Sequence, residues 1–263
     1  MRENKLKAMW QNGETVLNGW LQIPSSVSAE VMAHQGWDSL TIDMQHGAVD
    51  YQVAVTMLQA ISTTDTVPMA RVPWNEPGII MKMLDAGCYG IICPMVNNRA
   101  EAEAFVGACR YPPYGYRSHG PHRAILYGGS DYPAKANDVV ITMAMIETAE
   151  AMENLEDILT VPGLDAIYVG PADLSRSLTG KPGSDFADVP VVEALDTIIA
   201  ACKKHNIIAG LHTGSSDYTL QMFEKGFQFS TIMSDTGLLK SAAMQQVSAV
   251  KNTQQADQNS GPY

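Results

Sequence analysis

Short apolar runs alternate along this chain with longer segments in which apolar residues recur every three or four positions, the signatures of strand and amphipathic helix. VLNGWLQ (16–22) precedes SAEVMAHQG (28–36), and SLTIDMQ (39–45) precedes YQVAVTMLQAIS (51–62). VPMARVP (67–73) leads to GIIMKMLDAG (78–87), and GIICPMV (90–96) to RAEAEAFVGACR (99–110). After a long loop the pattern resumes with VITMAMIE (140–147) and AEAMENLEDIL (149–159). LDAIYVGP (164–171) leads through a Gly/Pro-rich loop to PVVEALDTIIAACKKH (190–205). The last units are IIAGLHT (207–213) with YTLQMFEKG (218–226), and FSTIMSD (229–235) with GLLKSAAMQQVSAV (237–250).

These eight strand–helix units predict an α/β fold, a (β/α)8 barrel of the usual size, about 250 residues. A doubly wound sheet would carry a glycine-rich fingerprint after an early strand, and none is present. The strands are apolar on both faces, as parallel strands covered by helices are. Gly36, Gly87 and Gly226 follow helices where a left-handed cap is wanted. No linker divides the chain, so residues 1–251 form one predicted domain, and the polar stretch 252–263 reads as a frayed tail.

Composition narrows the function classes. The net charge of −11 argues against a nucleic-acid or anionic-membrane partner, both of which need a basic patch. No run approaches the roughly 18 apolar residues of a membrane span, and the amino terminus lacks a secretory signal, so the expected compartment is the cytoplasm. Cys88, Cys93, Cys109 and Cys202 show neither C-x-x-C nor zinc spacing, and read as reduced, buried thiols.

A barrel does its chemistry at the carboxyl ends of its strands. There this sequence offers Asp43, Gln45 and His46, then Arg71, Glu147, GPADLS (170–175) with Asp173, His212, and Asp235. Each has an ordinary structural use, since Glu147 and Asp173 could cap helices and Arg71 could pair with a surface carboxylate. Taken together, Glu147 and Asp173 make a hard, oxygen-only pair suited to Mg2+ or Mn2+, with places left for water and substrate. Such a cation can hold the oxygens of a 2-oxo acid and stabilise an enolate, with Arg71 as a second fixed positive charge. The amides around Gly170, Ala172 and Asp173 could receive the substrate carboxylate. None of the ten lysines falls in an expected strand, which disfavours Schiff-base chemistry.

IDMQHG (42–47), ARVPWNEP (70–77), MLDAG (83–87), RYPPYGYRS (110–118), MIET (145–148) and VGPADLS (169–175) resemble, in order, the motifs of the HpcH/HpaI aldolase family. The resemblance covers about residues 4–250. It implies a barrel of the phosphoenolpyruvate/pyruvate-binding type, and a class II aldolase that cleaves a 4-hydroxy-2-oxo acid or 2-keto-3-deoxy sugar acid to pyruvate and an aldehyde. The implied cofactor is a divalent metal, Mg2+ or Mn2+ with Co2+ a further candidate, held by Glu147 and Asp173. Arg71 matches the arginine that binds pyruvate, and His46 the histidine that moves the proton, with Asp43 and Asp85 orienting it. The implied assembly is a trimer-based hexamer with the last helix on a neighbour. Decarboxylation of oxaloacetate at the same metal-enolate site is the alternative reaction, and a non-catalytic barrel the weakest reading. Met145 stands where members often have Gln, with Gln45 as a candidate substitute. The loop 111–137, with His119, His122 and Arg123, is either a lid or a solvated connection.

Overall fold

A computed structural model describes residues 2–181 and 189–259. Its eight strands are β1 (Val16–Leu21), β2 (Ser39–Asp43), β3 (Val67–Arg71), β4 (Gly90–Cys93), β5 (Ile141–Ile146), β6 (Ala166–Val169), β7 (Ile208–Thr213) and β8 (Phe229–Ile232). They pair in parallel and in chain order, and β8 closes on β1 through Val16 opposite Phe229. The expected (β/α)8 barrel is present.

The helices are α1 (Lys5–Gln11), α2 (Ser26–Ala33), α3 (Tyr51–Ile61), α4 (Pro77–Asp85), α5 (Arg99–Cys109), α6 (His122–Gly128), α7 (Tyr132–Val139), α8 (Ala149–Glu153), α9 (Leu155–Leu159), α10 (Pro171–Thr179), α11 (Val189–His205), α12 (Ser216–Lys225) and α13 (Asp235–Asn259). Side-chain caps set several helix starts at the mouth. Ser25, Asp50, Glu76, Asn98, Thr148 and Ser215 each accept a backbone N–H three residues on. Gly36, Gly87 and Gly226 take positive φ, as their positions after helices required.

Successive side chains point to opposite sides of each strand, and this sorts the core into two clusters. Outward residues such as Leu40, Ile42, Ile146 and Leu211 pack under the helices. Inward residues such as Trp20, Met69, Met143, Tyr168 and Phe229 fill the barrel. Buried polar groups inside the barrel are mutually satisfied. Asn18 Oδ1 accepts from Ser39 Oγ at 2.8 Å and Thr41 Oγ1 at 3.0 Å, while Asn18 Nδ2 donates to Thr231 Oγ1 at 2.9 Å. The four cysteines are buried and free, and burial pushes Cys88, Cys109 and Cys202 up to about 12.

Four segments depart from the pattern reading. Helix α1 is only seven residues long, too short for a periodic signal, yet its Leu6 and Trp10 plug the amino-terminal end of the barrel. The long loop 111–137 contains α6 and most of α7, and it packs against that same end and the barrel flank. Asn4 Nδ2 donates to Tyr89 O and Val139 O, Arg2 N donates to Gly128 O, and Tyr132 stacks near Tyr89. It is therefore neither a solvated loop nor a lid over its own mouth. The segment after β6 opens with α10, which begins on Pro171 and ends at Gly180 with φ +77°. Finally, α13 runs on to Asn259, so helix covers part of the stretch expected as a tail, and 260–263 lie outside the described residues.

Candidate active site

Alternation places Trp20, Asp43, Arg71, Glu147, Gly170 and His212 on the inward face at the carboxyl ends of their strands. Asp43 and Arg71 are opposite one another in the β2–β3 register. Their side chains form a two-point pair, Nε to Oδ1 at 2.9 Å and Nη2 to Oδ2 at 2.7 Å. Asp43 Oδ1 also accepts the backbone N–H groups of Gln45 (3.1 Å) and His46 (3.2 Å). Its Oδ2 accepts from Trp20 Nε1 (3.1 Å) and Gln22 Nε2 (3.0 Å). Burial alone would raise this carboxyl, but the bond and charge of Arg71, then Gln22 and His46, hold it down at about 2. The guanidinium lies over the Trp20 ring, 4.8 Å from its centroid. Arg71 is thus clamped on one edge and one face, with Nη1 the corner that Asp43 does not engage.

Glu147 follows β5 and is 3% exposed. Its Oε1 accepts the Met95 N–H at 2.8 Å. Burial raises its carboxyl and the Asp173 charge adds to the rise, while the Met95 bond and Arg71 oppose it; the balance leaves it at about 7. The neighbouring strand end is glycine, and a Cβ on Gly170 would lie 2.2 Å from Glu147 Oε2, so a larger residue there would displace the carboxylate. Asp173 sits exposed in the first turn of α10, whose N-cap, Gly170, supplies no side-chain bond to the helix amides. A buried carboxylate raised partly by a second carboxylate is a site that wants a cation. No group of three or more His, Cys, Asp or Glu side chains fit to hold a metal occurs among the described residues. The Glu147–Asp173 pair would supply two oxygen ligands, which suits a hard dication that keeps waters.

The structure brings Asp43, Arg71, Glu147, Gly170, Ala172 and Asp173 to one mouth, with the exposed His46 on the turn after β2. Asp43 grips His46 by its backbone N–H, so it fixes the turn and not the imidazole as expected. Gly47 lets that turn close, since a Cβ there would meet Asp43 O at 2.3 Å. Asp85 ends α4 in the outer layer, in a groove beside Tyr51 and Gly120, and its Oδ1 accepts from Arg117 Nη2 at 2.8 Å. Within one chain it is not brought to His46. Asp235 also leaves the site, accepting the N–H groups of Gln22 and Ile23 and the Ser28 hydroxyl to tie β8 to the β1–α2 turn. Met145 is buried beside Gly170, and the amide on Asp43 comes from Gln22, not from the Gln45 side chain. Trp20 and Gln22 were missed, although Asn18, Trp20 and Gln22 share the inward period-two face of their strand.

Known proteins resemble this chain over most of its length. The profile described as HpcH/HpaI aldolase/citrate lyase matches residues 18–242. The chain is 40% identical over 242 residues to a hydroxypyruvate/pyruvate aldolase of Rhizorhabdus wittichii, covering 92% of this chain and 96% of that one. It is 36% identical over 244 residues to a 4-hydroxy-2-oxo-heptane-1,7-dioate aldolase of Escherichia coli, covering 92% of each. The crystal structure of an aldolase/citrate lyase family protein from Burkholderia cenocepacia superposes with a TM-score of 0.88 at 31% identity, over 94% of this chain and 99% of the other.

Proposed function

The chain belongs to the HpcH/HpaI aldolase/citrate lyase family and is a carbon–carbon lyase, and we propose that its mouth reversibly cleaves a 4-hydroxy-2-oxo acid, or a 2-keto-3-deoxy sugar acid, to a pyruvate-type product and an aldehyde. The observation that carries this reading is the pairing of Glu147 with Asp173 beside an arginine already clamped by Asp43. A bound dication, Mg2+ or Mn2+, would supply positive charge for the enolate that carbon–carbon cleavage leaves behind.

The chain's own residues supply the rest. Arg71 meets the substrate oxygens in a fixed orientation, because Asp43 and Trp20 remove its rotamer freedom before binding. The uncapped amides opening α10 receive the substrate carboxylate. The His46 ring, exposed at the rim, takes the proton of the 4-hydroxyl during cleavage and returns it to the aldehyde oxygen during condensation. No lysine lies on any of the eight strands, which supports an enolate over an imine route. Chelation should abolish turnover, added Mn2+ should restore it, and borohydride with substrate should leave no lysine adduct. A trapped lysine would overturn the mechanism.

Assembly is part of the same proposal. Leu239, Met244, Val247 and Val250 on α13 are each more than half exposed, which supports docking of this helix on a second copy. Asp85 would orient His46 only across such an interface. Sedimentation of Met244→Glu with Val247→Glu should show smaller particles than wild type; an unchanged particle would remove α13 from the interface.

A further inference from the structure

Strand β4 leaves the barrel through Pro94 and Met95, whose side chains have no part in the chemistry above. The Met95 backbone is left-handed, with φ +55°. An L-residue with a long side chain avoids that region, whereas glycine takes it freely. Two other non-glycine residues among those described share it, Asn206 and Met233. Asn206 follows helix α11, where a left-handed asparagine is an ordinary cap, and Met233 spends its N–H on the Thr213 carbonyl. Of the three, Met95 is the one that turns its N–H onto a side chain of the site, Oε1 of Glu147 at 2.8 Å.

A strained residue persists only where its surroundings impose it. Here the imposing group is Asn97. Its Nδ2 donates to Met95 O at 3.1 Å, and its Oδ1 accepts from the hydroxyl of Thr148, the residue after Glu147. Its backbone is held as well, the N–H donating to Glu101 Oε2 at 2.7 Å and the carbonyl accepting from Asn154 Nδ2 at 2.9 Å. Main chain and side chain of one half-buried asparagine therefore tie the β4–α5 loop to the turn after β5. Between Met95 and Asn97, Val96 is fully buried in the outer core and pins the same loop. The consequence falls on Glu147. With Oε1 fixed by the Met95 amide, Oε2 is left on the side of Gly170 and the first turn of α10, where Asp173 stands.

We propose that Asn97 is a positioning residue for the metal-binding carboxylate: it enforces the left-handed Met95, and through that amide it fixes which oxygen of Glu147 meets the cation. The inference rests on the metal reading of Glu147 and Asp173. In this scheme Asn97 touches neither substrate nor cation and moves no proton. A carboxylate free to turn would lose that freedom at each binding event, and one aligned in advance does not.

The test measures Mn2+ binding by calorimetry in wild type, Asn97→Ala, Met95→Gly and the double variant, with thermal melts in chelator. Asn97→Ala should bind Mn2+ about tenfold more weakly. In Met95→Gly the left-handed form carries no strain, so adding Asn97→Ala there should weaken binding by about threefold or less. An unchanged affinity in Asn97→Ala, or equal losses in the two backgrounds, would overturn the proposal. A role in the fold alone predicts lower melting temperatures with Mn2+ affinity kept. Should Asn97→Ala not fold, Asn97→Ser takes its place in each comparison. If wild type binds no Mn2+, the metal reading fails, and hydrogen exchange at the Met95 amide of the metal-free protein decides for Asn97. Exchange faster by about tenfold in Asn97→Ala upholds the clamp on Glu147, and an unchanged rate rejects it.

Discussion

At the amino-terminal end of the barrel, Asp165 accepts from Lys7 at 2.9 Å, Arg110 at 2.7 Å and both donors of Thr142. Arg110 in turn donates to the carbonyls of Val140 and Gly163. At the carboxyl end, Glu147 is more deeply placed, at 3% exposed, but one backbone N–H is the bond it accepts among the described residues, and a second carboxylate presses on it. The amino-terminal cluster borders a cavity of about 590 Å³, roomier than the one beside His212. Volume is therefore a poor guide to function here. Charge that is saturated by its own protein holds the fold, and charge left short of partners awaits a ligand.

Three substitutions would break that contrast if it is misread. Glu147→Gln keeps the shape and removes the charge, so turnover should fall about 10³-fold and Mn2+ binding should be lost, with little change in melting temperature. Calorimetric Mn2+ titration together with a thermal melt checks both halves, and intact Mn2+ binding would remove Glu147 from the metal site. His46→Ala should lower turnover by about 10²-fold or more while Mn2+ and pyruvate still bind. Asp165→Asn should do the reverse. It leaves Arg110, 5% exposed, with an unpaired charge, so the fold should lose about 2–3 kcal/mol in urea while kcat stays near wild type. A collapse of kcat without loss of stability would make the amino-terminal end functional after all.

The same contrast explains what the sequence could disclose. The eight strands were legible because each is covered by helices and reads as an apolar run, and the mouth because GPADLS and MIET sit where strands end. Trp20 and Gln22 were legible in period but not in role, since no local signal says that both donate to Asp43 from another strand. Asp85 and Asp235 were misleading for the opposite reason. One ends a helix instead of a strand, and the other turns back to bind the Gln22 and Ile23 amides, a choice made by tertiary packing. Helices α1 and α6, seven residues each, are too short for periodicity to reveal, and α10 opens on Pro171 inside a segment that reads as a Gly/Pro-rich loop.

Asp43 sharpens the comparison because it stands at the functional end and is satisfied like Asp165. Its folded value of about 2 lies below the ordinary 3.8, so its contribution is full above pH 4 and is lost as pH falls through the folded value. The size is about 2 kcal/mol at neutral pH. Asp43→Asn should be less stable than wild type by that amount at pH 6, and the gap should narrow between pH 4 and about 2 as the wild-type carboxylate is protonated. Urea unfolding at pH 6, 4 and 3 measures it, and a gap that does not change with pH would show that Asp43 is not held as the anion. The variant should also loosen Arg71 and raise KM for the 2-oxo acid more than it lowers kcat, since Arg71 would still reach the substrate but no longer be pre-aimed. Stability and affinity would then fall from one substitution, which distinguishes Asp43 from both Glu147 and Asp165: it is the residue through which the fold's saturated electrostatics position the site's unsaturated ones.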